Sequence, residues 1–220
     1  MYSTTDSAAA RSSRPRPPRT SSSEVPPSPD EVVGAGGAGP EEGGGRGVPH
    51  AEGVSEEHFK AAMARLAAGV VLVTAFDEED GAQGEDVGMT ATAFLSVSLD
   101  PPLVLLSVRG GSRMDEVLER QPLWGASLLA ESQRRTADRF AMKGRLSDRL
   151  MFREIAHTRG PVSGAALVDG ALAQLECRTE RRIPAGDHTL VLARVVGTAL
   201  LSAEGGPLTY YRGRYRGLGS

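Results

Sequence analysis

The chain has a single cysteine, Cys177, in 220 residues. One thiol cannot close an internal disulfide and does not make a thiolate metal site, which agrees with a reducing cytoplasm. Histidine is also scarce. His50, His58, His157 and His188 are scattered and show none of the short paired spacings of zinc sites, so no metal is expected. No stretch is long and apolar enough to read as a membrane span. The N-terminal region has no run of large apolar residues longer than Val32-Val33, which excludes a signal-peptide core. A basic excess is missing as well: the formal net charge is −3, so nucleic acid is not an expected partner. There is no G-x-S-x-G nucleophile elbow. There is also no βαβ rhythm opening on a glycine-rich dinucleotide turn.

Large apolar residues are nearly absent from residues 1–53, whose only aromatic is Tyr2. This region is Ser, Pro, Arg, Gly and Ala, with RPRPPR at 14–19, PPSP at 26–29 and GAGGAGPEEGGG at 34–45. Such a composition cannot bury enough surface to offset its ordering entropy, and a disordered tail is expected. Residues 54–220 are the size of one domain with a proper core.

What is present in that domain reads mostly as strands. A helix opens it, with Ser55 as N-cap, Glu56 and Glu57 in the first turn, an apolar stripe of Phe59, Met63 and Leu66, and an end at Gly69. Residues 70–76 (VVLVTAF) predict a buried strand, and the acidic stretch 77–86 a hairpin loop. Residues 87–97 predict a second strand, stopped by Asp100-Pro101-Pro102, and 103–108 a third. Ser112 is a good N-cap for a short helix to about Arg120. A strand over 123–129, an Arg-rich amphipathic helix over 131–142 and a largely irregular stretch over 143–161 follow. Residues 171–182 alternate, with Ala173, Leu175, Cys177 and Thr179 on one face and Gln174, Glu176 and Arg178 on the other. The turn Pro184-Ala185-Gly186-Asp187 leads into a long strand over 188–201 that is apolar on both faces. Strands outnumber helices and short loops join them, which predicts an antiparallel barrel, mainly β with some α.

Several segments carry a resemblance. GMTATAFLSVSLDPPLVLLSV at 88–108, DRFA at 138–141, GALAQLECR at 170–178, GDHTL at 186–190 and PLTYYRGRY at 207–215 stand in this order. Together they resemble the flavin reductases of the FMN-binding split-barrel fold, members of which supply reduced flavin to two-component monooxygenases. The resemblance implies a split β-barrel with short flanking helices. It also implies FMN (or FAD or riboflavin) as the flavin, NAD(P)H as hydride donor, a monooxygenase partner and a cytoplasmic homodimer.

The residues suit that chemistry. Thr90-Ala91-Thr92-Ala93 offers small side chains and hydroxyls on a strand, so a flat ring could approach the main chain; in the resembled family this segment lines the isoalloxazine and ribityl chain. Thr92 and Ala93 depart from its commonest form, which has asparagine and serine there, and Ala93 loses a hydrogen bond. The family places the flavin phosphate near the turn at Ser112, with Ser96 close by. A helix N-terminus with free N–H groups is an anion site, and Arg109 and Arg113 could add charge. His188, in the GDH triplet, is expected beside the nicotinamide, or else as a strand-end residue bonded to Asp187. Phe140 packs either by the flavin or in a helix core, and Tyr215 lines either the pocket mouth or a surface strand. Cys177 reads as a buried hydrophobe, and Trp124 as a packing residue.

Hydride transfer between nicotinamide and flavin needs no dedicated acid or base, which agrees with the lack of a catalytic dyad. Two rivals share the pocket: an FMN enzyme acting directly on an organic substrate, as in the pyridoxamine-phosphate oxidase relatives, and a non-catalytic flavin-binding module.

Overall fold

The computed structural model describes residues 53–79, 83–142, 148–201 and 205–218. The Ser/Pro/Gly-rich tail up to residue 52, and residues 80–82 of the expected hairpin loop, lie outside them.

Ser55 caps the first helix: its Oγ accepts the His58 backbone N–H at 3.3 Å. Helix α1 spans Glu56–Met63, with both glutamates in its first turn. It stops well short of Gly69. The N–H groups of Arg65 and Leu66 turn back to the carbonyls of Ala62 and Met63, and the Arg212 N–H takes the carbonyl of Ala64. Gly69 belongs instead to a short strand, β1 (Ala68–Gly69). The α1 stripe does not pack into the core, since Phe59, Met63 and Leu66 are 57%, 46% and 62% exposed.

The rest of the chain gives β2 (Val71–Asp77), β3 (Glu85–Ala91), β4 (Phe94–Leu99), β5 (Pro102–Arg109), α2 (Arg113–Arg120) and β6 (Leu123–Leu128). A 3-10 turn over Glu131–Gln133 leads into α3 (Arg134–Ala141), followed by α4 (Asp148–Phe152), β7 (His157–Arg159) and β8 (Ala166–Val168). Then come β9 (Ala173–Ala185), β10 (His188–Leu200), β11 (Thr209–Tyr211) and β12 (Arg214–Arg216).

Seven strands pair in the order β3-β2-β6-β9-β10-β5-β4, each pair antiparallel. The two outermost strands, β3 and β4, are consecutive in the chain and separated only by Thr92 and Ala93. The path from Ala91 to Phe94 can span at most about 11 Å. A flat seven-stranded sheet would hold its edges about 29 Å apart. The sheet therefore curls until its edges meet, and Val87, Ala91, Val104, Leu106, Trp124, Cys177 and Val191 form one buried cluster inside it. The single strand expected over 87–97 is thus two strands with a corner at Thr92-Ala93. Cys177 and Trp124 are packing residues, as their sequence context indicates, and burial pushes the Cys177 thiol up to about 12.

A second cluster covers the outside of the barrel wall, built from Leu72, Leu129, Phe140, Phe152, Val168 and Leu208. This layer explains the polar face of β9, where Gln174 and Glu176 are buried. Gln174 Nε2 donates to the Val168 carbonyl at 2.9 Å. Glu176 Oε2 accepts from the N–H groups of Val162 and Ser163 at 2.9 and 2.6 Å and from Ser163 Oγ at 2.7 Å. The carboxylate is the anchor for the loop between β7 and β8, rather than a solvent-facing charge.

Gly88 on β3 faces the same layer, and a Cβ there would stand 2.7 Å from Phe140 Cε1 and 2.9 Å from Phe152 Cζ. Gly88→Ala should overpack the contact and cost about 1–3 kcal/mol, lowering the melting temperature by roughly 2–12 °C. A melt within a degree of wild type would show that the two rings move aside.

Candidate functional site

Barrel closure brings three segments to one end. The corner Thr92-Ala93 is held to β5, where the Ser107 N–H donates to the Ala93 carbonyl at 3.0 Å. Strand β5 runs on to Arg109, whose register partner on β10 is His188. The turn at Gly186, with φ +64°, reverses β9 into β10 and puts the Asp187 carbonyl 3.0 Å from the Gly110 N–H. Helix α1 faces the corner across a cavity. Phe59, Lys60, Met63, Leu66, Thr92, Ala93, Tyr210 and Gly213 are among the residues lining a largely apolar cavity of about 440 Å³. Of these, only Thr92 and Ala93 are site candidates from the sequence. The exposed stripe of α1 was legible, but nothing in it told that it faces a cavity rather than the core. Tyr210 lies in the same PLTYYRGRY segment as Tyr215.

The turn after β5 is built from the inside. The Gly110 N–H is taken by Asp187, the Gly111 N–H donates to Asp115 Oδ2 at 2.9 Å, and the Ser112 N–H donates to the Arg109 carbonyl at 3.1 Å. Ser112 Oγ accepts the Asp115 N–H at 3.3 Å, capping α2. The protein therefore satisfies the N–H groups of residues 110–112 itself, and of the first-turn N–H groups of α2, which the sequence reading offers to an anion, that of Asp115 is taken by Ser112 Oγ. What this turn offers an anion is the hydroxyl hydrogen of Ser112 and the exposed guanidinium of Arg109. Arg113, expected to add charge for a ligand, has its guanidinium on the buried Asp77. Its Nη2 lies 2.9 Å from Asp77 Oδ2, and Arg120 Nη2 lies 2.7 Å from the same oxygen. This carboxylate fastens α2 to β2.

His188 is exposed at the hairpin tip, with Nδ1 2.8 Å from Asp187 Oδ1. The hydrogen bond and charge of His188 hold the Asp187 carboxyl below its ordinary range. Ala91 is buried in the barrel core, and Ser96 is exposed on β4.

The remaining candidates sit elsewhere. Thr90 Oγ1 donates to the Ala137 carbonyl of α3 at 3.4 Å. Tyr215 is half-buried, and its ring meets that of Tyr210 edge-on at 5.3 Å, so it stands behind the cavity wall. Burial and the nearby Asp138 raise its phenol above the ordinary value, while a hydrogen bond with Thr90 opposes them. Phe140 is 2% exposed, with its ring 5.0 Å from that of Phe152. The packing therefore supports the helix-core alternative for it.

Residues 63–219 match the family described as flavin reductase like domain. The chain is 39% identical over 165 residues to an NADH-dependent flavin reductase of a Rhodococcus species, covering 75% of this chain and 88% of that protein. It is 41% identical over 167 residues to the reductase component of 4-hydroxyphenylacetate 3-monooxygenase from Thermus thermophilus, covering 74% and 97%. The solved structure of an NADH:FAD oxidoreductase from Streptomyces globisporus superposes with a TM-score of 0.68 at 32% identity, covering 78% of this chain and 100% of that one.

The corner can be tested directly. Ala93→Phe would push a ring into the cavity from an exposed position. Flavin affinity should fall about tenfold or more, a change of 1.4 kcal/mol or greater, while the melting temperature stays within about 2 °C, as for a surface substitution. Unchanged flavin quenching would exclude this cavity as the ring's seat.

Proposed function

Because the chain belongs to the flavin reductase-like family, we propose that its flavin and nicotinamide meet at the end of the barrel marked by Thr92-Ala93, Ser112 and His188. The enzyme is an NAD(P)H-dependent flavin reductase. The observation that carries the site assignment is the corner itself: an exposed stretch of small residues opening on a cavity of about 440 Å³, within the usual range of small-molecule sites, roughly 300–1,000 Å³.

A flavin fits the residues there. Its ring would lie along Thr92 and Ala93, against the apolar side chains of Phe59 and Met63. Ser112 would donate its hydroxyl hydrogen to the phosphate and Arg109 would supply the charge. His188, oriented by Asp187, would flank the nicotinamide. The bound flavin supplies the hydride acceptor and the reduced nicotinamide the donor. The chain's own task is to hold the two rings in contact and to keep water from between them. No side chain need give or take a proton.

We favour NADH as donor, because several relatives are named for NADH. FMN is the flavin proposed, with FAD and riboflavin as the arms of the test. A flavin-dependent monooxygenase is the proposed consumer of the reduced flavin.

The proposed working form is a homodimer. Strand β4 is an edge strand that exposes Leu95, Val97 and Leu99 at 51%, 48% and 91%, and Leu200 at the end of β10 is 90% exposed. An apolar edge of this kind calls for cover. Light scattering at micromolar concentration should give twice the chain mass; a monomer mass would refute the dimer.

The two ends of the site should fail differently. Ser112→Ala removes a donor to a charged group, worth roughly 1.5–3 kcal/mol, so FMN affinity should fall by about tenfold or more and riboflavin affinity far less. The lost cap, about 1 kcal/mol, is measured separately in a melt without flavin. His188→Ala should leave FMN binding largely intact but slow NADH oxidation or raise the KM for NADH. Equal weakening of FMN and riboflavin would remove Ser112 from the phosphate, and wild-type turnover in His188→Ala would leave that residue a strand end only.

A further inference from the structure

One carboxylate joins the turn after β5 to the hairpin of β9 and β10. Asp115, in the first turn of α2, is 8% exposed. Its Oδ2 accepts the Gly111 N–H at 2.9 Å. Its Oδ1 accepts from Arg182 Nη2 at 2.7 Å, and Arg182 Nη1 donates to its backbone carbonyl at 3.2 Å. Its own N–H donates to Ser112 Oγ. The Thr189 hydroxyl stands against the same carboxylate.

These partners come from three places. Gly111 and Ser112 form the turn proposed to receive the phosphate. Arg182 lies on β9. Thr189 lies on β10, next to His188. Burial pushes the Asp115 carboxyl up, but the Gly111 N–H, Arg182 and Thr189 together outweigh it and hold the group below its ordinary range, so it stays ionised while buried. With Arg182 across from it, the pair adds no net charge to the turn.

We propose that Asp115 is a positioning residue that clamps the Gly110-Gly111-Ser112 turn to both strands of the Asp187-His188 hairpin, and so fixes the distance between the flavin phosphate and the nicotinamide. This rests on the site reading above. The arms of the clamp are separable: Gly111 and Ser112 on the flavin side, Thr189 and Arg182 on the nicotinamide side.

Two variants of the full chain test it, read by the KM for NADH, by kcat and by the ratio of FMN to riboflavin affinity. Asp115→Ala with Arg182→Ala removes both charges together, leaving neither buried alone and the net charge unchanged. It should raise the KM for NADH and lower the FMN-to-riboflavin ratio, each by about fivefold or more. Thr189→Val cuts the β10 arm alone; it should raise the KM for NADH by about two- to fivefold and leave the ratio at the wild-type value. A purely structural role would reduce the active fraction, lowering kcat without moving the KM or the affinity ratio.

If the double variant does not fold, the Thr189→Val pattern decides. Unchanged KM in Thr189→Val, or KM and ratio within twofold of wild type in a folded double variant, overturns the clamp while leaving the site intact, provided that Ser112→Ala and His188→Ala behave as stated. If those two are silent, the site reading falls and the clamp falls with it.

Discussion

The link between β3 and β4 carries the chain from one edge of a seven-stranded sheet directly to the other. Two residues cannot bridge the width of an open sheet, so the sheet must close, and the corner cannot join a ladder on both sides. Bulky side chains there would also obstruct approach to the backbone, and Thr92 and Ala93 are small. The same register then determines what lies nearby. Because β4 pairs with β5 and β5 with β10, Arg109 and His188 arrive at the end of the barrel where the corner lies. Closure of the fold and assembly of the site follow from one short connection.

The strands were legible because they are runs of β-branched and aliphatic residues bounded by turn residues, and the caps at Ser55 and Ser112 because their signals are local. The corner was not legible. Residues 90–97 contain no glycine or proline and keep strand-like residues throughout, so only pairing with distant strands breaks the run. The end of α1 was misplaced at Gly69 for a similar reason: the chain turns earlier to meet Leu208 and Arg212. Gln174 and Glu176 alternate as a solvent face would, and the layer that buries them comes from residues 157–168, whose packing on β9 leaves no periodic trace.

The site shows the same division. The sequence brought out Thr92, Ala93, Ser112 and His188 through a resemblance and through local chemistry. It could not assign the arginines. Arg113 stands one residue from Ser112, yet its partner Asp77 is on β2; Arg182 looks like any strand arginine, yet its partner is Asp115. Which cation faces a ligand and which faces a buried carboxylate is a question of tertiary pairing, and spacing along the chain is silent on it.

That pairing has a physical consequence for the turn. The N–H groups of Gly110, Gly111 and Ser112 are satisfied by Asp187, Asp115 and Arg109 within the protein itself. A glycine-rich turn whose shape depended on a bound anion would have to be ordered at each binding event, at a cost in conformational entropy. Here the internal acceptors fix the shape beforehand, and a ligand meets a hydroxyl and a guanidinium on a turn that is already formed. Hydride transfer places its demand on the alignment of two rings rather than on a strong acid or base, and a turn and hairpin joined through buried charge meet that demand before either ring is bound.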